Sequence, residues 1–295
     1  MTCKTVDLYE YFQIERKGMD GGYLTSYVPA VYTEVRPKTH PAILVIPGGG
    51  YGFVSEREGE PVALAFLAKG YAAFTLKYTV SDKPYHEMLA RGKMDERMVF
   101  PGPLVEAVMA MAYIRKNAEE FRVDPEHVAA VGFSAGGHLT GMLATLSFHS
   151  SVREVLGDVA KLGRPDAVIL SYAVLTTEKG FTHEGTSDTI SGANEKTRAF
   201  LSLETRVTEE SAPAFIWHTV EDDCVPVESA FRMAMAYRNA GVPFELHVFE
   251  KGWHGTSVVN AHTMINDGEE EKIGHLSAWH NLAETWLKKR GFCIR

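Results

Sequence analysis

HVAAVGFSAGGHLTGMLATL, residues 127–146, is the stretch of sequence that decides the fold. Its first residues are mostly apolar and predict a buried strand, whereas residues 139–146 carry apolar side chains on one face, as a helix does. Between them lies a G-x-S-x-G pentapeptide with Ser134 at its centre. The flanking glycines permit a sharp turn that exposes the serine hydroxyl at a helix N-terminus. Backbone N–H groups and the helix dipole there favour an oxyanion.

A serine hydroxyl is a weak nucleophile until a neighbouring base removes its proton. The base candidate is His254, which lies in the glycine-flanked GWHG directly after the predicted strand Phe244–Phe249. It is chosen among twelve histidines because the order along the chain is serine, acid, histidine. Two other histidines are expected to be structural: His138, one turn after Ser134, and His218, at the end of another predicted strand.

An acid that orients the histidine is expected in the loop between that other strand and the following helix. Three acidic residues compete there, and the D-x-x-V-P spacing favours Asp222, with Asp223 next and Glu221 last. The alternative interpretation is that all three cap the helix and lie in water.

A triple glycine at 48–50, after an early apolar strand, is the candidate loop for binding the oxyanion. Glycine lets backbone N–H groups come close to a substrate, and such donors stabilise a tetrahedral oxyanion. We expect the donors to be the N–H groups of Gly49, Gly50 and Ala135. By itself a triple glycine is more often a flexible turn, and only its position relative to Ser134 favours the functional interpretation.

Strands alternate with helices through the middle of the chain, which predicts a mostly parallel central sheet with helices on both faces. Two strand-like segments, 6–15 and 22–29, predict antiparallel strands at the N-terminus. No repeat or linker is evident, so we expect a single domain over residues 1–295. The segments 81–103 and 173–210 are polar and lack periodicity, and we expect them to be lid or substrate-binding inserts.

Composition excludes several classes of protein. A net charge of -8 without a basic stripe argues against a nucleic-acid partner, and no apolar run approaches the length of a membrane span. The first residues lack a signal-peptide pattern, and three scattered cysteines do not suggest a disulfide framework, so a cytoplasmic location is expected. No metal-ligand or nucleotide-binding motif is present, so we expect neither a metal site nor a cofactor.

These motifs together resemble a family, the α/β-hydrolase esterases related to acetylxylan esterases and other small carbohydrate acetyl esterases, which are often xylanase-associated. The resemblance runs from about residue 42 to the C-terminus. It is carried by PGGGY (47–51), REGEPVA (57–63), DP (124–125), GFSAGGHL (132–139), WHT (217–219), DDCVP (222–226) and FEKGWHG (249–255). Two departures are Pro47, where the H-G-G-G form has histidine, and Glu106, where many relatives have aspartate.

The resemblance implies an α/β-hydrolase fold with Ser134 as nucleophile, Asp222 as acid and His254 as base. It implies a serine hydrolase that removes a small acyl group, most often acetyl, from the ester of a small-molecule alcohol such as a sugar. The alternatives are an amidase, peptidase or formamidase on the same fold and, less favoured, a non-catalytic binding protein. The oligomeric state is left open, and a homo-oligomer is compatible with the sequence.

The substrate pocket is expected to include residues that follow the triple glycine. Tyr51, Arg57 and Glu58 are the candidates. The competing interpretation is that the two charged residues form a surface ion pair beside a neighbouring aromatic ring.

Overall fold

The computed structural model of the chain describes residues 1–16, 20–36, 38–81 and 98–295. In these ranges eight strands form one sheet, in the order β1-β2-β4-β3-β5-β6-β7-β8. The strands are β1 (Thr2–Asp7), β2 (Tyr23–Val28), β3 (His40–Ile46), β4 (Ala72–Lys77), β5 (Val123–Phe133), β6 (Ala167–Ser171), β7 (Ala214–Thr219) and β8 (Phe244–Phe249). The pairs β1–β2 and β2–β4 are antiparallel and the other pairs are parallel. The predicted fold class is confirmed.

Helices connect most of these strands, and a few single 3₁₀ turns lie between them. The α-helices of the described ranges are α1 (Leu8–Phe12), α2 (Glu60–Leu67), α3 (Gly102–Lys116), α4 (Ala118–Phe121), α5 (Ser134–Leu146), α6 (Ser150–Leu156), α7 (Glu184–Ser191), α8 (Glu195–Phe200), α9 (Glu228–Ala240), α10 (Glu269–Ile273) and α11 (Ala278–Lys288). The 3₁₀ helices are Glu56–Glu58, Gly157–Leu162, Leu203–Thr205 and Gly274–Ser277. Among the described residues, none of the helices combines the length and the apolar character that crossing a bilayer requires.

Both faces of the central strands are buried, because successive side chains of a strand point to opposite sides. In β3, Leu44 packs into one hydrophobic cluster with residues of α3 and α5. Its neighbour Ile43 packs into a second cluster that includes Phe66 of α2 and Trp279 of α11. The sheet is therefore covered on both sides, and the loops at the carboxyl ends of its parallel strands remain available for a site.

The prediction of a strand over residues 6–15 is wrong beyond Asp7. The Asp7 carboxylate accepts hydrogen bonds from the N–H groups of Tyr9 (2.9 Å) and Glu10 (3.1 Å), which caps α1. An aspartate at this position satisfies N–H donors that have no partner inside the helix, so the chain turns from β1 directly into a helix.

The two predicted inserts differ in what the structure describes of them. Most of 81–103 lies outside the described residues, which resume at Met98. The segment 173–210 is described and contains α7, α8 and a short 3₁₀ helix. Its residues Ile190, Leu201 and Leu203 join the same hydrophobic cluster as α5. This insert is thus packed onto the main core, and the single-domain interpretation stays a prediction.

Candidate active site

The turn between β5 and α5 presents Ser134. Its φ is +51°, a left-handed conformation that is costly for a residue with a side chain. Neither flanking glycine has room for a Cβ: one on Gly132 would lie 2.3 Å from the Gly136 carbonyl oxygen, and one on Gly136 would lie 2.2 Å from that of Ile46. The two glycines therefore allow the close packing that holds the serine in this strained position.

Three side chains from distant parts of the sequence form one hydrogen-bonded chain. The Nε2 atom of His254 lies 2.8 Å from Ser134 Oγ, and its Nδ1 atom lies 2.8 Å from Asp222 Oδ2. Because an ionised carboxylate only accepts, the histidine proton belongs on Nδ1 and leaves Nε2 to accept from the serine hydroxyl. This is the geometry in which a histidine can remove the serine proton.

The carboxylate of Asp222 is fully buried and well supplied with donors. Its Oδ1 atom accepts from the N–H groups of Cys224 (2.9 Å) and Val225 (2.8 Å). Burial would raise the pKa of Asp222, but hydrogen bonds and charge from His218 and His254 outweigh burial and lower the pKa below its ordinary value. This residue therefore stays ionised beside the histidine.

The other acids of this loop do not reach the histidine. Asp223 is exposed, and exposed Glu221 pairs with Lys251 at 2.5 Å. His218, expected to be structural, is buried, with Nε2 2.9 Å from the Val225 carbonyl oxygen and 3.3 Å from Asp222 Oδ2. Of the three competing acids, Asp222 alone contacts the base candidate.

Three backbone N–H groups beside the serine are those predicted to bind the oxyanion. The N–H groups of Gly49, Gly50 and Ala135 have no protein acceptor within the described part of the chain. Gly49 and Gly50 have φ values of +124° and +64°, which glycine adopts without strain. The preceding Gly48 differs, because its N–H group donates to Glu58 Oε2 at 2.8 Å. The Gly48 N–H group thus anchors the loop, whereas the N–H groups of the next two residues are left for a ligand.

A cavity of about 320 Å³ lies over these groups. Its walls come from five parts of the chain. They are the turn at Ser134, the glycine loop (residues 48–50) with the residues after it, the acid loop that carries Asp222, the histidine loop that carries His254, and the 173–210 insert. The lining residues are Gly49, Gly50, Phe53, Ser55, Arg57, Glu58, Ser134, His183, Thr186, Cys224, His254 and Gly255. A larger open groove of about 650 Å³ runs along α9 and contains none of the three hydrogen-bonded side chains.

Of the three predicted pocket residues, the structure places two on the cavity wall. Arg57 and Glu58 line it, but Tyr51 does not. Tyr51 is fully buried, and its hydroxyl lies 3.0 Å from Nδ1 of His138. His138 in turn donates to the Leu201 carbonyl oxygen at 3.1 Å. Tyr51 and His138 therefore connect the glycine loop, α5 and the insert beneath the cavity.

The two charged residues have internal partners rather than each other. Arg57 donates to the carbonyl oxygens of Gly255 (3.2 Å) and Thr263 (2.6 Å), which ties down the chain that follows His254. Glu58 is buried and accepts the Gly48 N–H group described above. The described contacts therefore do not support the alternative of a surface ion pair between them.

Tyr172 completes a buried bridge between two loops of the site. Its hydroxyl donates to Glu58 Oε1 at 2.7 Å and accepts from the Ser257 N–H group at 2.9 Å. Its ring packs edge-on against His254, with 5.0 Å between ring centroids. Burial and the neighbouring Glu58 carboxylate raise the pKa of Tyr172 well above its ordinary value, so the hydroxyl keeps its proton. The glycine loop and the histidine loop are thereby joined through Glu58 and Tyr172.

Several cavity residues were not predicted from the sequence. His183 and Thr186 come from the insert 173–210, and Phe53 follows the glycine loop. Cys224 also lines the cavity, and burial raises the pKa of its thiol to about 11. No local motif surrounds His183 and Thr186. The only signal for them in the sequence was the prediction that the insert 173–210 is a lid or binds substrate.

The model of the BD-FAE family matches residues 30–236, more than half of the chain. The chain belongs to the BD-FAE family. The family resemblance predicted from the motifs is confirmed. The matched part of this BD-FAE chain includes Ser134 and Asp222 but ends before His254, so the base candidate rests on its position in the sequence and its geometry.

Two curated relatives of this BD-FAE chain are bacterial proteins named for activity on xylan. Endo-1,4-beta-xylanase B of Butyrivibrio fibrisolvens is 38% identical over 224 residues, which cover 74% of this chain and 33% of that protein. Acetylxylan esterase of Xylanibacter ruminicola is 28% identical over 221 residues, which cover 72% and 40%. The BD-FAE chain thus spans about a third to two fifths of the length of these relatives.

A solved structure similar to the BD-FAE chain has nearly the same length. It is an acetyl ester-xyloside bifunctional hydrolase from Caldicellulosiruptor lactoaceticus, with 32% sequence identity and a TM-score of 0.74. The alignment covers 92% of this chain and 88% of that one. The similarity therefore extends over the whole α/β-hydrolase architecture.

Proposed function

We propose that this BD-FAE protein is a serine carboxylesterase that removes small acyl groups, chiefly acetyl, from esters of sugars or short oligosaccharides. The observation that carries the proposal is the hydrogen-bonded chain Ser134–His254–Asp222, which opens onto a cavity with free N–H donors. The names of the relatives, acetylxylan esterase and acetyl ester-xyloside hydrolase, support the acetyl group and the sugar. A cavity of about 320 Å³ is at the small end of ligand sites, which suits a short acyl group.

In the proposed mechanism, Ser134 Oγ attacks the ester carbonyl carbon while His254 Nε2 takes the hydroxyl proton. The N–H groups of Gly49, Gly50 and Ala135 bind the oxygen that becomes negative, and each such donor contributes roughly 3–4 kcal/mol. Asp222 stabilises the imidazolium and keeps it oriented. The imidazolium then gives its proton to the leaving alcohol oxygen as the carbon–oxygen bond breaks, and the acyl group stays on the serine.

Water completes the cycle by hydrolysing the acyl-serine with the help of the same groups. His254 accepts a proton from the water, whose oxygen attacks the acyl carbon, and the carbonyl oxygen returns to the N–H donors. Collapse of this second intermediate releases the acid and returns the proton to Ser134. No step needs a cofactor. We place the activity in the cytoplasm, because the three cysteines, all in described residues, are free.

The test compares the wild type with Ser134→Ala on p-nitrophenyl esters from acetate to octanoate. We expect wild-type activity to decline as the acyl chain lengthens and Ser134→Ala to lose a factor of about 10⁴–10⁶ in rate. Ser147→Ala is the matched control, because this serine lies at the opposite end of α5 and should leave the rate near the wild-type value.

Three results would contradict the proposal. Full activity of Ser134→Ala would show that another group is the nucleophile. Turnover of p-nitroanilides without turnover of any ester would favour an amidase, and binding without turnover of either class would favour a non-catalytic receptor.

A further inference from the structure

His183 lies on the wall of the catalytic cavity, although it belongs to the insert and not to the hydrogen-bonded chain of three residues. Thr186, on the same turn, lines the cavity beside the glycine loop: a Cβ on Gly50 would lie 3.6 Å from Thr186 Oγ1. The insert therefore brings an imidazole ring to the place where an ester bound at Ser134 would be.

The hydrogen bonds of His183 determine which of its ring nitrogens carries the proton. Its Nδ1 atom accepts from the N–H group of Thr186 at 3.2 Å and lies 2.8 Å from Thr186 Oγ1. A nitrogen that accepts a backbone N–H group has no proton, so the neutral ring carries its proton on Nε2. Burial first, and then the nearby His254, lower the pKa of His183, which keeps the ring neutral.

The Nε2–H group of His183 has no acceptor in the described ranges of the chain. The opposite edge of the ring is bonded to α7, so the Nε2 edge is the one left to face the cavity. A half-buried donor without a protein partner, next to the reacting serine, is suited to a hydrogen bond with a bound molecule.

The insert holds this ring firmly. Arg198 is only 5% exposed and pairs with Glu184, with Asp188 (2.6 Å) and with the Thr177 carbonyl oxygen (2.9 Å). The first two partners belong to α7, whose N-terminus His183 caps. A donor fixed in this way discriminates between ligands better than one on a mobile loop, because little side-chain freedom is lost on binding.

An exposed aromatic ring lies on the same cavity wall. Phe53 is 63% exposed and lines the cavity, so its ring is accessible to a ligand bound there. Sugars present both an apolar C–H face and hydroxyl groups. A cavity with an open aromatic face and a fixed N–H donor matches both features of a sugar.

We propose that His183 is a specificity-determining residue, whose Nε2–H group donates a hydrogen bond to a hydroxyl on the alcohol part of the ester, next to the scissile bond. Phe53 covers the apolar face of the same alcohol. The proposal rests on the proposed esterase function and assigns to His183 the preference for polyhydroxylated alcohols over simple ones.

The test uses two acetyl esters that differ only in the alcohol: a monoacetylated methyl xyloside and ethyl acetate. The variant His183→Asn keeps an acceptor for the Thr186 N–H group, since asparagine is a good N-cap, but is too short to replace Nε2–H. We expect kcat/KM for the xyloside ester to fall about 10-fold and that for ethyl acetate to stay within about 2-fold of the wild type.

His183→Gln is the complementary variant, because its amide N–H group reaches the former place of Nε2 while its fit as a cap is lost. We expect it to recover part of the xyloside preference. Thermal melting of both variants reports any general damage to the fold.

Equal losses on both esters in His183→Asn would overturn the proposal in favour of a structural role, and wild-type kcat/KM values on both esters would overturn it as well. These outcomes leave the esterase proposal intact. A wild type that hydrolyses neither ester would refute the esterase function itself, and the role of His183 with it.

Discussion

Tyr172→Phe removes a single oxygen atom from the bridge that joins the glycine loop to the histidine loop. The hydroxyl donates to Glu58 and accepts from the Ser257 N–H group, and all of these groups are buried. The aromatic packing survives the change, because phenylalanine keeps the ring that lies against Trp217 and His254. The substitution therefore isolates the two hydrogen bonds of the hydroxyl.

The expected loss in the free energy of unfolding follows from the two groups, Glu58 and the Ser257 N–H, that lose their hydrogen bond to the hydroxyl. A hydrogen bond to a charged group contributes about 1.5–3 kcal/mol, and a buried N–H group without an acceptor costs about 1–3 kcal/mol. Since neighbouring contributions are not additive, we expect the free energy of unfolding to fall by about 3 kcal/mol. Such a loss is a large fraction of the stability of a typical domain.

Tyr71→Phe is the matched control for this experiment. Tyr71 is as buried as Tyr172, but its hydroxyl has no hydrogen-bond partner among the residues that the structure describes. Removing an unsatisfied buried hydroxyl should be neutral or stabilising. Urea unfolding of the wild type and both variants measures the difference as a change in midpoint at constant slope. Equal midpoints for Tyr172→Phe and Tyr71→Phe would refute the reasoning.

Two further predictions concern the acid of the site and the buried histidine beneath it. Asp222→Asn should lower kcat about 10⁴-fold, because the amide no longer stabilises the imidazolium. The control Asp223→Asn changes an exposed residue and should keep kcat near the wild-type value. Steady-state kinetics on p-nitrophenyl acetate measure both, and equal losses of kcat would contradict the choice of Asp222. Burial lowers the pKa of His138 from 6.5 to about 4. Below pH 6.5 the unfolded chain therefore binds a proton that the folded chain does not, and stability falls by about 3 kcal/mol as the pH drops to 4. Urea unfolding between pH 6.5 and 4 should show that the free energy of unfolding falls less in His138→Gln than in the wild type. An equal fall in both proteins would be evidence against this linkage.

Much of the site was predictable because its residues lie in local motifs at strand ends. The G-x-S-x-G turn marks the junction of β5 with α5, and the spacing to Pro226 pointed to Asp222 among three neighbouring acids. Parallel strands bring their carboxyl ends to one edge of the sheet, so residues that follow different strands meet there. Local pattern and chain order were therefore sufficient to predict that Ser134, Asp222 and His254 lie close together, whereas their catalytic roles stay a prediction.

Other features depend on contacts that no local pattern records. Residues 8–12 are rich in aromatic side chains, which are common in strands, yet the Asp7 cap makes them a helix. Glu58 sits in a charged run that is typical of a surface, but the fold buries it against Tyr172, 114 residues away. His183 lines the cavity from an insert that Arg198 and the core hold in place. Such roles become visible only when tertiary packing is known.

The contacts that build the site also constrain when it can form. The hydrogen bond between Ser134 and His254 joins residues 120 positions apart, and that between Arg57 and Thr263 spans 206. Contacts between distant residues form slowly, because a long loop must close before they yield any stabilisation. During refolding, strands and helices should therefore appear well before the site is assembled. Under the proposed function, the return of ester hydrolysis would then report the last event of folding, the docking of the chain after β8 onto a sheet already in place.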